Sequence, residues 1–352
     1  MAGVLDGVTV IELAGIGPGP FAGMMLADHG ARVIRVERPG NAGRFGDGGN
    51  RDILNRNRER IELDLKDPAA ISTLKELVCG ADALIEGYRP GVLERLGLGP
   101  DVLLDENPKL VIGRMTGWGQ DGPMAPLAGH DINYIALSGA LHSYGRKGEK
   151  PSFPVNAVGD FGGGGMMMAF GIVAAILSAR TTGQGQVVDC AMVDGAAILS
   201  AMTYTFLGNG QWRDERGVNL LDGGAHFYDT YETADGKWIS LGSIEPQFYA
   251  LLLEKTGLAA DPEFAQQMNT AKWGTLKGRM TALILTKTRD AWCAIMDGTD
   301  ICFAPVLSLK EAPQHPHNAA RSTFVEVEGM IQPAPAPRFS ATPAPPVNLT
   351  GR

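Results

Sequence analysis

Three titratable side chains in this 352-residue sequence stand beside features that suit chemistry on a bound ligand. His130 directly precedes an expected helix, where unpaired backbone N–H groups of the first turn could stabilise an oxyanion. Asp160 is followed, after Phe161, by four glycines, which would let a ligand approach the backbone and leave the carboxylate uncovered. Glu245 follows an expected strand and precedes Pro246, a residue suited to a first helical turn. A histidine and two carboxylates are the groups that general acid–base catalysis uses most often.

Each of these residues also has an ordinary structural explanation. His130 could cap a helix or be buried, and a lone histidine is more often structural than catalytic. Asp160 is a plausible helix N-cap, and so is Glu245. From the residues alone, both readings stay open.

A fourth motif, Gly15-Ile16-Gly17-Pro18-Gly19-Pro20, lies between an expected strand and an expected helix. Glu37 follows about twenty residues later, as in a dinucleotide-binding fingerprint. However, Pro20 occupies the position of the third glycine, and Pro18 and Pro20 have no backbone N–H for a pyrophosphate. The sequence therefore favours a tight strand-to-helix turn over a nicotinamide site.

The elements that must position these residues alternate in the α/β manner over the first 120 residues. Strands are predicted at Val8–Leu13, Ala31–Val36, Ala81–Ile85 and Leu110–Met115, with a further strand at Gln186–Val188. Helices are predicted between them and at about 131–144, 164–180 and 191–207. This order predicts a Rossmann-like parallel sheet.

The chain is predicted to divide into two domains. The large Rossmann-like domain is expected over 1–207, joined by the C-terminal segment 306–352. A polar linker is expected at 208–225. A smaller α+β domain is expected over 226–305, where Ala234-Asp235-Gly236 indicates a hairpin turn.

Composition limits the classes of partner. The net charge of −8 argues against general nucleic-acid binding, although a pocket can still be basic. Residues 32–66 hold nine basic and six acidic residues, a net charge of +3. Four scattered cysteines and the lack of a signal-peptide pattern at the start indicate a cytoplasmic protein with reduced thiols. The uncharged stretch Phe161–Ala179 is interpreted as a core helix rather than a membrane span, because glycines dilute it.

Taken together, the motifs resemble the α-methylacyl-CoA racemases, members of the family III CoA-transferase superfamily. The resemblance runs over essentially the whole chain and includes the His130 and Asp160 motifs described above. It is also carried by Val10–Pro20, Glu86–Gly91 with Glu94–Gly97, Met115–Gln120, Gly185–Asp189 and Glu245–Tyr249.

The resemblance implies roles for the three titratable residues. In these racemases the histidine and aspartate matching His130 and Asp160 flank the α-carbon of a 2-methylacyl-CoA thioester. One takes the α-proton and the other returns it, so the (R) and (S) forms interconvert through an enolate. The glutamate matching Glu245 is expected to hydrogen-bond the histidine from the partner subunit. Backbone N–H groups after His130, that of Asp131 among them, are expected to stabilise the enolate oxygen.

The resemblance also implies a CoA site, an interlocked homodimer and a role in fatty acid metabolism. The active site is expected at the subunit interface, with CoA as part of the substrate, no metal and no separate cofactor. CoA and its thioester are expected to contact residues from the basic segment, from the turn after the third predicted strand and from the helix that follows His130. These residues are Arg38, Leu63, Asp64, Leu65, Lys66, Gly87, Tyr88, Arg89, Arg95, Gly129, Asp131, Ile132, Asn133 and Tyr134.

Two rival functions stay open. A family III CoA-transferase would use Asp160 as a nucleophile that forms an acyl anhydride, and that chemistry needs no base opposite it. The joint presence of His130 and Glu245 favours the racemase. A non-catalytic CoA-binding scaffold would bind CoA without turning over any acyl-CoA.

Overall fold

The computed structural model describes residues 3–40 and 52–349. Within the basic segment, Arg44, Asp47 and Arg51 lie outside the described residues, as do residues 350–352 of the C-terminal segment. The chain forms two compact units. The first comprises residues 1–140, 154–201 and 322–352, and the second comprises residues 141–153 and 202–321. The second unit thus begins before the predicted small domain and extends beyond it.

The first unit is built on a six-stranded sheet whose paired strands are all parallel. The strands are β1 (Thr9–Leu13), β2 (Arg32–Glu37), β3 (Arg58–Glu62), β4 (Ala83–Glu86), β5 (Val111–Thr116) and β6 (Gln186–Ala191). Their order, β3-β2-β1-β4-β5-β6, is that of a doubly wound dinucleotide-binding fold. The predicted Rossmann-like parallel sheet is confirmed.

Strand β3 was not predicted from the sequence. Its residues read Arg-Glu-Arg-Ile-Glu, a pattern more typical of a solvated surface than of a sheet. Arg58 is nevertheless fully buried, because its guanidinium donates to Glu12 at 2.7 Å and to the carbonyl oxygens of Leu54 and Pro20. Arg35 donates to the other oxygen of Glu12 and to the carbonyl of Gly15. This ion-pair network ties the sheet to the turn that leads into the first helix.

Helices of the first unit cover both faces of the sheet. They are α1 (Pro18–Asp28), α2 (Pro68–Cys79), α3 (Val92–Arg95), α4 (Pro100–Glu106), α5 (Asp131–Leu137), a π-helix (Ala157–Met166), α7 (Met167–Thr182) and α8 (Met192–Leu199). Two short helices, α6 (Ala140–Ser143) and α9 (Ala201–Gly208), lie where the chain passes between the units. Alternate strand residues enter two separate cores, with Val10 in one and Ile11 in the other. The hairpin β10 (Phe324–Val327) and β11 (Met330–Pro333) completes the unit.

The second unit packs helices on an antiparallel three-stranded sheet. Its elements are β7 (Tyr228–Glu232), β8 (Trp238–Gly242), α10 (Pro246–Thr256), α11 (Trp273–Ile284), α12 (Arg289–Met296), β9 (Phe303–Val306) and α13 (Pro316–Ala320). The predicted hairpin is confirmed, since β7 pairs with β8 across the turn that contains Ala234–Gly236. The core of this unit is aromatic, with Phe227, Trp273 and Trp292 buried.

The segment predicted as a linker, 208–225, is an ordered loop of the second unit. Asn219 is buried, and its side chain bonds the backbone of Arg213 and Glu215. The Asp222 carboxylate accepts from the amides of Gly217, Asn219 and Gly224. The polar composition predicted a linker, but the hydrogen bonds from these side chains to the backbone fix the conformation of the loop.

Candidate active site

His130 is the N-cap of α5 and has extended backbone angles, φ −135° and ψ 172°. Its own amide donates to Asn133 Oδ1 at 3.0 Å, which fixes the chain as it enters the helix. The residue is exposed, so the imidazole is accessible from solvent. The sequence placed His130 immediately before a helix, and the structure does the same.

Asp160 lies in the first turn of the π-helix and is held through both backbone and side chain. Its amide donates to Asp131 Oδ2 at 2.7 Å, and its Oδ2 accepts from Asn156 Nδ2 at 3.2 Å. Asp131 is the first residue of α5, so this contact links the two elements that carry His130 and Asp160.

The surroundings of Asp160 raise its pKa above the ordinary value. Burial is the largest cause, and the nearby Asp131 carboxylate adds to it. The hydrogen bond from Asn156 and the charge of protonated His130 act in the opposite direction. The Asp160 carboxyl is therefore easier to protonate than a solvated aspartate, and its proton affinity depends on the charge of His130.

The four glycines after Asp160 face protein rather than an open space for a ligand. A β-carbon at Gly163 would lie 2.7 Å from the amide nitrogen of Ala196, and one at Gly164 would lie 2.9 Å from Pro18 Cβ. A β-carbon at Gly165 would meet the ring of Phe21 at 2.6 Å. The glycine run lets the π-helix pack closely on α1 and α8, and the interpretation as room for a ligand is corrected accordingly.

Tyr134 is buried one turn after His130, against the backbone of Gly117. A β-carbon at Gly117 would lie 2.2 Å from the Tyr134 ring. Burial and the carboxylates of Asp160 and Asp131 raise the pKa of Tyr134 to about 12, so its hydroxyl stays protonated. Trp118 packs edge-on against the Tyr134 ring, with 4.8 Å between the ring centroids.

The turn between β1 and α1 also borders Asp160. Gly17 has a φ of 67°, which favours glycine, and a β-carbon there would lie 3.3 Å from Asp160 Oδ2. A carboxylate beside this turn disfavours a pyrophosphate in the same place, in agreement with the prediction from Pro18 and Pro20.

A cleft of about 380 Å³ opens at the carboxyl ends of β1 to β4, where ligands bind in doubly wound sheets. It contains two cations, Arg38 and Lys66, and two acidic residues, Glu37 and Asp64, among otherwise mainly apolar walls. Its lining residues are Ala14, Val36, Glu37, Arg38, Leu63, Asp64, Leu65, Lys66, Tyr88, Val92 and Leu96. Arg38, Leu63–Lys66 and Tyr88 of the predicted CoA contacts are thus brought together.

Other predicted contacts lie beside this cleft or apart from it. Among the described residues, Gly87, Arg89 and Arg95 do not line it, although Arg95 belongs to the helix whose Val92 forms part of the wall. Gly129 and Asp131–Tyr134 lie instead around the start of α5, with Ile132 exposed.

Glu245 belongs to the second unit. It is the N-cap of α10, with φ −70° and ψ 142°, and it is exposed. Its position after β8 and before Pro246 agrees with the sequence pattern, and its exposure leaves the carboxylate available to another chain.

Sequence reasoning missed two side chains that act directly on Asp160. Asn156 precedes it by four residues and bonds its carboxylate, whereas Asp131 was considered only for its backbone. The available signal was the polar residue four positions before the aspartate. The spacing alone did not give it a function, because Asn156 lies just before the helix that carries Asp160, and the sequence did not show that this helix begins at Ala157.

Comparison with known proteins places this geometry in a family. The sequence profile of CoA-transferase family III matches residues 5–349. The chain is 48% identical over 344 residues to the alpha-methylacyl-CoA racemase of Mus musculus, covering 97% of this chain and 88% of the mouse protein. It is 33% identical over 358 residues to a succinyl-CoA–D-citramalate CoA-transferase of Chloroflexus aurantiacus, covering 96% and 88%. The structure of a CAIB/BAIF family protein from Brucella suis superposes with a TM-score of 0.82 at 24% identity, covering 98% and 95%.

Proposed function

The chain belongs to CoA-transferase family III, and on that premise we propose that it is a racemase of 2-methylacyl-CoA thioesters. The single observation that carries this proposal is the coupled pair at the α5 terminus. Asp160, with a pKa raised by burial, is held to the helix that His130 caps, and the charge of His130 acts on it. The high identity with the mouse racemase supports the same activity.

His130 and Asp160 would serve the two faces of the α-carbon. A thioester α-proton is far less acidic than an imidazolium or a carboxylic acid, and general-base catalysis alone contributes about 10²–10⁴-fold. The enolate oxygen therefore needs direct stabilisation, for which the Asp131 backbone N–H is our candidate. When His130 is the base, Asp160 must carry a proton, and the raised pKa of Asp160 favours that state. In the reverse direction protonated His130 favours ionised Asp160.

The nucleotide end of CoA is assigned to the cleft at the ends of β1 to β4. Arg38 and Lys66 suit its phosphates, while Tyr88 and the leucines of the walls suit its adenine ring. CoA enters and leaves as part of the substrate, and the proposed reaction requires no metal and no separate cofactor.

We further propose that the active enzyme is a homodimer with interlocked chains. The π-helix and α7 together form a stretch, Ala157–Thr182, that is apolar and long enough to cross a membrane by length and composition alone, yet only 39% of its most apolar window is buried. On α7, Phe170 is 73% exposed and Leu177 is 69% exposed, and Val173 lies between them on the same face. A second copy of the chain would cover this face and bring Glu245 of the partner subunit to His130.

The second candidate function is a CoA-transferase, favoured by the 33% identity with the Chloroflexus aurantiacus enzyme. In that reaction the Asp160 carboxylate attacks the thioester carbonyl and releases the CoA thiolate, leaving an acyl anhydride on the enzyme. The accessible His130 beside Asp160 has no part in that step, and its presence there therefore favours the racemase.

A chiral assay separates the two functions. A single enantiomer of a 2-methylacyl-CoA is incubated with the protein, with and without an isotopically labelled carboxylic acid. Formation of the opposite enantiomer without any acceptor acid would support the racemase. Transfer of CoA to the labelled acid with retention of configuration would identify a transferase, and CoA binding without either reaction would identify a scaffold.

A further inference from the structure

A buried glutamate lies directly behind the wall of the nucleotide cleft. Glu86 is the last residue of β4 and is fully buried. Its Oε2 accepts from the amide of Tyr88 at 2.7 Å, and Tyr88 lines the cleft. The carboxylate of Glu86 thus fixes the backbone that presents the Tyr88 side chain.

Arg114 on β5 connects this glutamate to a second element. Its Nε donates to Glu86 Oε1 at 2.8 Å. Its Nη1 donates to Glu94 Oε1 at 2.8 Å, and its Nη2 donates to Glu94 Oε2 at 3.3 Å. The planar guanidinium therefore joins two carboxylates in a geometry that lysine cannot reproduce.

Glu94 belongs to α3, a single helical turn. Val92 of this turn and Leu96 at its end line the same cleft as Tyr88. So short a helix has little stability of its own, and its position depends on contacts to the rest of the unit. The link through Arg114 holds α3 and the Tyr88 backbone as one wall.

We propose that Arg114 and Glu94 are positioning residues for the nucleotide end of CoA. Neither lines the cleft, but together they set the distance between Tyr88 and α3. This inference rests on the proposed function, because it assumes that the cleft receives the nucleotide of the acyl-CoA. Loss of the link is expected to weaken binding of the nucleotide, with little effect on proton transfer at the α-carbon.

The test compares two thioester substrates in matched variants. Glu94→Gln removes the charge of a carboxylate that is 43% exposed. Arg114→Lys keeps a positive charge beside Glu86 but loses the planar guanidinium that donates to both glutamates. Glu106→Gln is the control, because Glu106 is 40% exposed and pairs with Lys75 at 3.1 Å away from the cleft residues. Each protein is assayed with a 2-methylacyl-CoA and with the corresponding 2-methylacyl-pantetheine, which lacks the nucleotide.

The expected result is a specific loss of preference for CoA. In Glu94→Gln and Arg114→Lys, KM for the acyl-CoA rises about tenfold, because the wall that contacts the nucleotide is no longer preorganised, while kcat changes by less than about twofold. The ratio of kcat/KM for acyl-CoA over acyl-pantetheine falls by the same factor, and Glu106→Gln keeps the wild-type ratio.

Equal losses on both substrates would show a merely structural role and overturn the inference, as would an unchanged ratio in both variants. Titration calorimetry with CoA alone gives a readout that does not need turnover. If the wild-type protein racemises neither thioester, the proposed function fails, and the Kd for CoA in the same variants still decides whether Arg114 and Glu94 position the nucleotide.

Discussion

At the residue scale, the site depends on how three neighbouring side chains and burial set the proton affinity of Asp160. Asp160 is in contact with Asn156 and Asp131, and it is coupled electrostatically to His130. Burial of Asp160 favours its neutral acid form, while a positive charge on His130 favours its carboxylate form. The pair can therefore exchange the two protonation states that racemisation in both directions requires.

Two substitutions are expected to move the pH profile in opposite directions. For the enantiomer whose α-proton Asp160 removes, kcat/KM falls as the pH drops through the pKa of Asp160. Asn156→Ala removes a hydrogen bond that lowers this pKa, so the acidic limb moves to higher pH. Asp131→Asn removes a carboxylate that raises the pKa of Asp160, so the acidic limb moves to lower pH. The asparagine side chain can still accept from the Asp160 amide. The measurement is kcat/KM against pH for both enantiomers, and limbs that do not move, or that move together, would contradict this account of the site.

The sequence could single out His130 and Asp160 as candidates but could not give their chemical setting. A histidine before a helix and an aspartate before glycines are local patterns that can be seen in one dimension. The contact between Asp131 and Asp160 joins residues 29 positions apart, and it is visible only in the fold.

At the scale of elements, the π-helix that carries Asp160 is held by backbone packing against α8. A β-carbon at Gly195 on α8 would lie 1.9 Å from the carbonyl oxygen of Gly163. Such contacts leave no space for even a methyl group, and they fix the position of the whole segment.

Gly195→Ala is therefore expected to reduce both stability and activity. Overpacking of this kind costs about 1–3 kcal/mol and would displace the π-helix with Asp160. The matched control is Gly278→Ala, in the middle of α11, where a β-carbon would have no neighbour within 4 Å. It should increase stability by about 0.5–1 kcal/mol through helix propensity alone. Chemical denaturation measures both changes, and a Gly195→Ala protein with wild-type stability would contradict the packing argument.

Several elements followed from the sequence because their signals are local. The apolar runs of β1, β2, β4 and β5 and the hairpin turn at Ala234–Gly236 were predicted correctly. Strand β3 was missed because Arg58 at its start is buried by an ion pair that no periodicity shows, with Glu12 located 46 residues earlier in the chain. The π-helix could not be predicted either, since its geometry follows from close packing with α1 and α8.

At the scale of the whole molecule, the exposed apolar face of α7 supports the proposed dimer. Leu177→Glu places a charge in this face, where it would be desolvated on association. We expect the variant to be monomeric by light scattering and to lose most of its racemase activity, because Glu245 of the partner subunit would no longer reach His130. Ser72→Glu, at an exposed position of α2, is the control and should leave mass and activity unchanged. A wild-type protein that is monomeric and fully active would contradict the dimer.

The central claim is that two bases on opposite faces of the α-carbon exchange its proton, and solvent deuterium tests it most directly. A single enantiomer of a 2-methylacyl-CoA is incubated with the protein in deuterated water and stopped early. The enantiomers are then separated, and deuterium at the α-carbon is measured in each. We predict that the newly formed enantiomer carries deuterium delivered by the second base, while recovered substrate keeps most of its original hydrogen. Equal deuterium in product and recovered substrate from the first turnovers would contradict the two-base account. A product enantiomer without deuterium would also contradict it, because one base would then have returned the same proton.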